Sequence, residues 1–347
     1  MAVMKPALFL LLAAVIPCMS QAANYTAEKI TVDGVEVVRL ADAARQTEVL
    51  IVPSIGNNAY QMKVKGAGIM WMPQASLTEW KAKPAMGGNP FLAPWANRIS
   101  GDSYFANGKR YTLNGDLKNF RRDGNQNPIH GLVVYASQWR VSALSAADDG
   151  ALTTSRLEFW RYADWMTHFP FAHSIEMTHR LRDGVLEVQT VIENHSHDPM
   201  PVSVGYHPYY RLTDSPRNDW QVHLAAKEHV VLSDKLVPTG ETKPVTMTER
   251  KLAGSQLDDV FTGLVRGPDG RAVFTVRGRT QSIAVEYGPN YPVSVVYAPA
   301  GRDFICFEPM SGVTNAFNLA HEGRFPLQSI PPGGKWRESF WVRPSGF

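Results

Sequence analysis

Arg180-Leu181-Arg182-Asp183-Gly184-Val185-Leu186-Glu187-Val188 reads as two alternating runs joined by Asp-Gly. That dipeptide suits a two-residue hairpin turn, because both turn residues need positive φ and glycine supplies it without steric cost. The runs continue on both sides, over residues 175–181 and 185–192, with frequent β-branched side chains. Similar runs occupy residues 29–40, 152–162 and 282–287, and further turn pairs stand at Asp33-Gly34, Asn107-Gly108 and Asp269-Gly270. No long helical period competes with them, so only short helical turns are expected. No internal repeat, low-complexity linker or shift in composition marks a boundary. The expectation is an all-β chain folded as one large antiparallel β-sandwich over residues 23–347.

The first residues read differently. Lys5 is a short positive region, residues 7–16 are an apolar stretch too short to span a bilayer comfortably, and Ser20-Gln21-Ala22 fits a small-residue cleavage site. Residues 1–22 are therefore expected to be a signal peptide, cut after Ala22 or Ala23, giving a periplasmic or secreted product with no membrane attachment. Cys18 raises lipidation, but Val15-Ile16-Pro17 before it is a poor match to a lipoprotein signal. Of the two cysteines only Cys306 would remain, so no internal disulfide is available and stability must come from the core. A formal net charge of +3 gives no electrostatic case for nucleic acid.

Two further segments suggest chemistry. Pro201-Val202-Ser203-Val204-Gly205-Tyr206-His207-Pro208-Tyr209-Tyr210 reads as a strand ending in a histidine restrained by the following proline. Tyr206, Tyr209 and Tyr210 surround that histidine with flat amphipathic rings suited to sugar faces. Far along the chain, Phe304-Ile305-Cys306-Phe307-Glu308-Pro309 is a second strand-like run carrying an acid near its end. His207 and Glu308 form a candidate proton-transfer pair. Each residue also has a plainer reading, His207 as a structural strand end and Glu308 as a strand cap. His195-Ser196-His197 lacks an evident third metal ligand and reads as a solvated loop. Arg121-Arg122 reads as a surface basic pair, with an anionic substrate group as the alternative.

Four separated segments together resemble the aldose 1-epimerase (galactose mutarotase) family. They are Trp95-Ala96-Asn97-Arg98-Ile99-Ser100-Gly101; Ile129-His130-Gly131 with Trp139 after it; the His207-Pro208 segment; and Glu308-Pro309 followed by Thr314-Asn315-Ala316-Phe317-Asn318. The resemblance covers most of the chain after the leader. It implies a large antiparallel β-sandwich with a sugar in an open cleft, Glu308 as base and His207 as acid. It also implies Arg98 and His130 as sugar-holding residues, and an acid from an Asp-x-x-Phe stretch. Asp258, three residues before Phe261, matches that last position, with Asp259 beside it as the alternative. Two positions depart from the pattern: Leu132 stands where many members have a second glycine, and Tyr210 where phenylalanine is common.

Exchange of sugar anomers needs one base and one acid at the anomeric centre, each able to work in either protonation state near neutral pH. It needs no metal or cofactor, and its partner is a small-molecule sugar. The expected function is thus an aldose 1-epimerase acting on a free hexose. The alternatives are a hexose-6-phosphate 1-epimerase, against which export argues, and a non-catalytic carbohydrate-binding protein of the same fold. A glycosidase would need a second suitably spaced carboxylate, and the sequence offers none that convinces.

Overall fold

The computed structural model describes Met1 and residues 24–347. The expected leader, with Cys18 and its cleavage position, lies outside the described residues. Among these residues no helix is long and apolar enough to cross a membrane.

Two large antiparallel sheets form the sandwich. The first has nine strands, in spatial order Arg140–Ala147, Gly150–Glu158, His173–Arg182, Val185–Asn194, Lys335–Ser345, Ser282–Tyr287, Ala272–Arg277, Gln221–His223 and Glu249–Lys251. The second runs Pro238–Pro244, Ala226–Leu232, Leu257–Leu264, Val293–Ala298, Ile305–Met310, Gly205–Tyr206 and Phe91–Leu92, with Tyr209–Tyr210 also paired to Ile305–Met310. The last strand of the chain, Lys335–Ser345, sits between Val185–Asn194 and Ser282–Tyr287 and so joins the two halves of the first sheet.

Alternation along the strands fills the space between the sheets. The Tyr206 ring lies 4.8 Å from Phe340, and Phe274 lies 6.0 Å from Phe307, each pair reaching from one sheet to the other. All four rings are fully buried. Truncating one such phenylalanine to alanine costs about 3–5 kcal/mol.

The hairpin at Asp183-Gly184 forms as the sequence requires, with φ of 50° and 74°, and Arg182 opposite Val185. Asp33-Gly34 and Asn107-Gly108 adopt the same left-handed pair. Asp33-Gly34 divides the run 29–40 into strands Tyr25–Val32 and Val35–Asp42. Asp269-Gly270 departs from the expected tight turn. Only Gly270 has positive φ, and the loop closes wider, from Gly267 N to Arg271 O at 2.9 Å.

The first two strands continue through Thr47–Val52, Asn58–Val64 and Ala67–Gly68 into a five-stranded meander. This sheet clamps the hairpin turn of the sandwich. Gly184 N donates to Asp42 Oδ2 at 2.9 Å, and Asp183 N donates to Tyr25 Oη at 3.1 Å. Among the described residues, helices are limited to Leu77–Ala82, Ala163–His168 and Ala316–His321, six residues each, plus short 3-10 turns.

Candidate active site

Strand parity decides which side chains leave the core. On Ile305–Met310, Phe307 enters the sandwich, so Cys306 and Glu308 project from the opposite face. Register extends that face across neighbouring strands. Asp258 lies opposite Tyr297, Tyr297 opposite Cys306, and Cys306 opposite Tyr209. Glu308 lies opposite Val295 in the adjoining row.

Tyr206 and His207 part at the same sheet. Tyr206 points into the core, where its hydroxyl meets Thr190 Oγ1 at 2.5 Å. His207 points outward, its amide donating to Pro90 O at 3.0 Å and its ring stacked on Tyr209 at 4.7 Å. Gly205 permits this approach, since a Cβ there would collide with Met310 Sδ and Pro309 O.

Arg98 and His130 arrive on a connected pair of loops. His130 N donates to Asn97 O at 2.8 Å, and Arg98 bridges to Ile129. Both Asn97 and His130 take left-handed φ, 55° and 64°, and Gly131 follows at 68°. A Cβ on Gly131 would run into the Ala93 carbonyl, so the turn that presents His130 requires glycine there. Arg98 is aimed from behind by Asp123, whose Oδ2 accepts from Nε at 2.7 Å. Asp123 Oδ1 is itself held by the amides of Asn125 and Asn127, at 2.9 and 2.8 Å.

These elements enclose a cavity of about 230 Å3 lined by Arg98, His130, His207, Asp258 and Glu308, together with Tyr209 and Tyr297. The five residues singled out in the sequence, separated by as many as 210 positions, therefore share one space. His207 Nε2 lies 3.2 Å from Glu308 Oε1. The His130 and His207 rings meet edge to face at 5.4 Å. His207 Nδ1, His130 Nδ1 and Glu308 Oε2 are buried without a protein hydrogen-bond partner. Buried polar atoms are normally paired, so three orphans around one cavity mark a polar ligand position.

Burial governs the protonation of the pair. It pushes Glu308 well above the usual carboxylate range, helped by the negative charge of Asp258 and opposed by Arg98. It lowers His207 to about 3, with Arg121 and Arg98 adding to the shift. His130 is held well below its ordinary value by burial, then by His207, Arg121 and Arg98. Asp258 sits at the more open rim, and desolvation against the cavity wall raises it, with Asp259 adding to the shift and Arg98 opposing it. For Asp123 burial acts upward, yet the Asn127 amide and Arg98 overcome it and hold the carboxyl below its ordinary value.

The choice between Asp258 and Asp259 follows from parity. Asp258 faces the cavity, whereas Asp259 Oδ1 pairs with His229 Nε2 at 2.8 Å. The three tyrosines around His207 divide against expectation. Only Tyr209 lines the cavity, because Tyr206 enters the core and Tyr210 is fully buried in the main apolar cluster. Missing from the sequence reading were Asp123 behind Arg98, Tyr297 in the wall, and the aromatic group that backs Tyr209. Trp71 and Phe304 lie 5.7 and 5.0 Å from the Tyr209 ring and 4.7 Å from each other. An Asp-Gly turn at 123–124 was the only local signal for the first of these.

Cys306 Sγ, His207 Nε2 and a Glu308 oxygen lie within 4.8 Å of one another, close enough to share a cation. Burial pushes both the Cys306 thiol and the Glu308 carboxyl up. A cation here would have to displace the protons that burial favours on Cys306 and Glu308.

A β-sandwich with a histidine and a glutamate converging on a small polar cavity is the arrangement that the sequence resemblance implies. The chain belongs to the aldose 1-epimerase family, whose model matches residues 39–343. A galactose mutarotase-like protein from Clostridium acetobutylicum has a similar fold, with a TM-score of 0.82 at 20% identity, covering 93% of this chain and 99% of that one. Galactose 1-epimerase from Lactobacillus acidophilus gives a TM-score of 0.71 at 14% identity, over 93% of this chain and 99% of its own. The uncharacterized protein YihR of Escherichia coli is 24% identical over 234 residues, which is 65% of this chain and 70% of that protein.

Proposed function

We propose that the protein is an aldose 1-epimerase that interconverts the α and β anomers of a hexopyranose by ring opening and reclosure. The observation that carries this reading is the His207 Nε2 to Glu308 Oε1 separation of 3.2 Å at a cavity of about 230 Å3. The hydroxyl and the ring oxygen of a hemiacetal are bonded to the same carbon. The groups that serve them must therefore be close neighbours, and this pair is. Glu308 as carboxylate takes the proton from the C1 hydroxyl, while His207 as imidazolium gives one to the ring oxygen. The C1–O5 bond breaks and an aldehyde forms. Rotation about C1–C2 presents the other carbonyl face, and reclosure returns both protons.

One proton is thus shared by the pair throughout. Opening converts carboxylate and imidazolium into carboxylic acid and imidazole, and closing reverses it. The opposing shifts at Glu308 and His207 favour carboxylic acid and imidazole in the empty site, and carboxylate with imidazolium is the other one-proton state of the same pair. Arg98 is held through Nε and Nη1, and its Nη2, which has no partner among the described residues, donates to sugar oxygens, while neutral His130 and the Asp258 carboxyl fix the ring's hydroxyls. Export through the leader, with action outside the cytoplasm, is part of the proposal.

The test is polarimetry on freshly dissolved α-D-glucose and α-D-galactose with the purified protein. Acceleration beyond the buffer rate is expected. Sugar binding with no acceleration for any aldose would leave a carbohydrate-binding protein.

A further inference from the structure

The Arg121-Arg122 pair is split by the fold. Residues 121–122 form a short ribbon with 128–129, in which Arg122 lies opposite Pro128 and Arg121 opposite Ile129. Successive side chains alternate between faces, so the two arginines part. Arg122 is tied down through Nη1, which donates to Asp102 Oδ1 and to Gln126 O, both at 2.7 Å. Arg121 shares its face with Ile129, and Ile129 in turn is bridged to Arg98. Directly opposed residues in such bridges point the same way. Arg98 and Ile129 line the sugar cavity, so Arg121 belongs to that same face, one strand further out.

A second cavity of about 340 Å3 opens there, beside Gly131 and Tyr135. Arg121 and Lys118 are its only charged lining residues. Neither forms an ion pair among the described residues, and the one side-chain partner of Arg121 is the Tyr135 hydroxyl at 3.4 Å. The charge of Arg121 reaches the sugar site, where it helps to lower both His130 and His207. Leu132, which replaces the family's second glycine, also lines this space. The contrast with the outer face of the nine-stranded sheet is instructive. A cavity of about 490 Å3 there holds four arginines. All four are ion-paired, sharing three carboxylates: Arg180 with Glu187 at 2.6 Å, Arg271 and Arg343 both with Glu286 at 2.7 Å, and Arg182 with Asp183 at 3.6 Å. Every arginine of that site is held in an ion pair, whereas Arg121 and Lys118 beside the sugar cavity are not.

We infer that the sugar bound by this protein carries an anionic group, seated in the neighbouring cavity against Arg121 and Lys118. This rests on the reading of the main cavity as a sugar site, and it narrows the substrate from neutral hexoses to acidic ones. Guanidinium suits the planar, multi-oxygen anions that such groups share.

Methyl glycosides cannot open, so their binding is independent of turnover. Calorimetric titration with methyl α-D-glucopyranoside and methyl α-D-glucuronide is the experiment, on the intact protein and on Arg121→Gln and Lys118→Met. The glucuronide is expected to bind about tenfold more tightly than the glucoside. That advantage should shrink with added salt and vanish in Arg121→Gln, while glucoside binding stays unchanged. Equal binding of the two glycosides, or an advantage that survives both substitutions, overturns the inference. Inorganic phosphate binding as tightly as the glucuronide also overturns it, since the anion would then not need the sugar. Failure of the mutarotase reading looks different: the glucuronide preference stays, but no aldose, neutral or acidic, is turned over.

Discussion

Arg98 and Asp123 form a closed pair at the edge of the cavity, with Nε donating to Oδ2 at 2.7 Å and side-chain exposures of only 13% and 8%. Asp123 touches no cavity atom of its own, so its part is to aim the guanidinium. Asp123→Asn keeps the size but loses the charge-assisted bond, worth about 1.5–3 kcal/mol. Arg98 should then sample other directions. The expected result is a KM raised about tenfold with kcat changed little, because the proton-transfer pair is untouched. A fall in kcat with unchanged KM would place Asp123 in the chemistry instead.

Glu308→Gln and His207→Asn separate chemistry from binding in the opposite sense. Each retains a polar side chain but removes a group that exchanges protons. We expect kcat to drop by about 10²-fold or more, with sugar affinity nearly unchanged, consistent with the worth of general acid–base catalysis. Mutarotation at the wild-type rate by Glu308→Gln would eliminate Glu308 as base. Chelator should leave the wild-type rate unaltered, and a chelator-sensitive rate would point to the His207, Cys306 and Glu308 cluster as a metal site.

The pair also predicts an unusual pH profile. Burial lowers His207 to about 3 and raises Glu308. Between those limits the pair holds one proton. It gains a second only at strongly acid pH and loses its last above the ordinary carboxylate range. An isolated imidazole serving as the acid would instead lose activity as pH rises through about 6.5. We expect kcat/KM to stay within about twofold from pH 7 down to pH 5.5. A basic limb with a midpoint near 6.5, so that activity rises from pH 7 to pH 5.5, would contradict the one-proton pair.

Local signals and long-range placement contributed unequally to what the sequence disclosed. The Asp183-Gly184 hairpin was legible because its turn chemistry and both strands lie within a few residues. The all-β architecture followed from repetition of that signal, and the five cavity residues from motifs that a resemblance connects. Tyr206 and Tyr210 were misplaced because Gly205–Tyr206 and Tyr209–Tyr210 are two-residue strands, too short for alternation to fix their parity. Tyr297 and Trp71 carry no signal of their own. Tyr297 enters the wall through register with Asp258 and Cys306, and Trp71 through the hydrogen bond its backbone N–H donates to Tyr209 O at 3.0 Å. Such placements arise only when strands far apart in sequence pair.

Acid stability should be limited by histidines outside the cavity. His179 is fully buried on the strand His173–Arg182, and neither ring nitrogen has a hydrogen-bond partner. Burial lowers it to about 3, and burial likewise lowers His173 to about 4. In the unfolded chain both return to about 6.5. Below that value the unfolded state takes up protons that the fold refuses, so stability falls as pH falls from 6.5 and the loss levels off only below the folded values. At pH 5 the penalty is about 2 kcal/mol for each histidine. His179→Leu removes one of these sites and replaces an unpaired polar ring with an apolar side chain suited to the same core. Urea unfolding of the variant should therefore show a stability gain over wild type that is larger at pH 5 than at pH 8, by about 2 kcal/mol. A gain independent of pH would mean that packing alone, and not the refused proton, accounts for the effect.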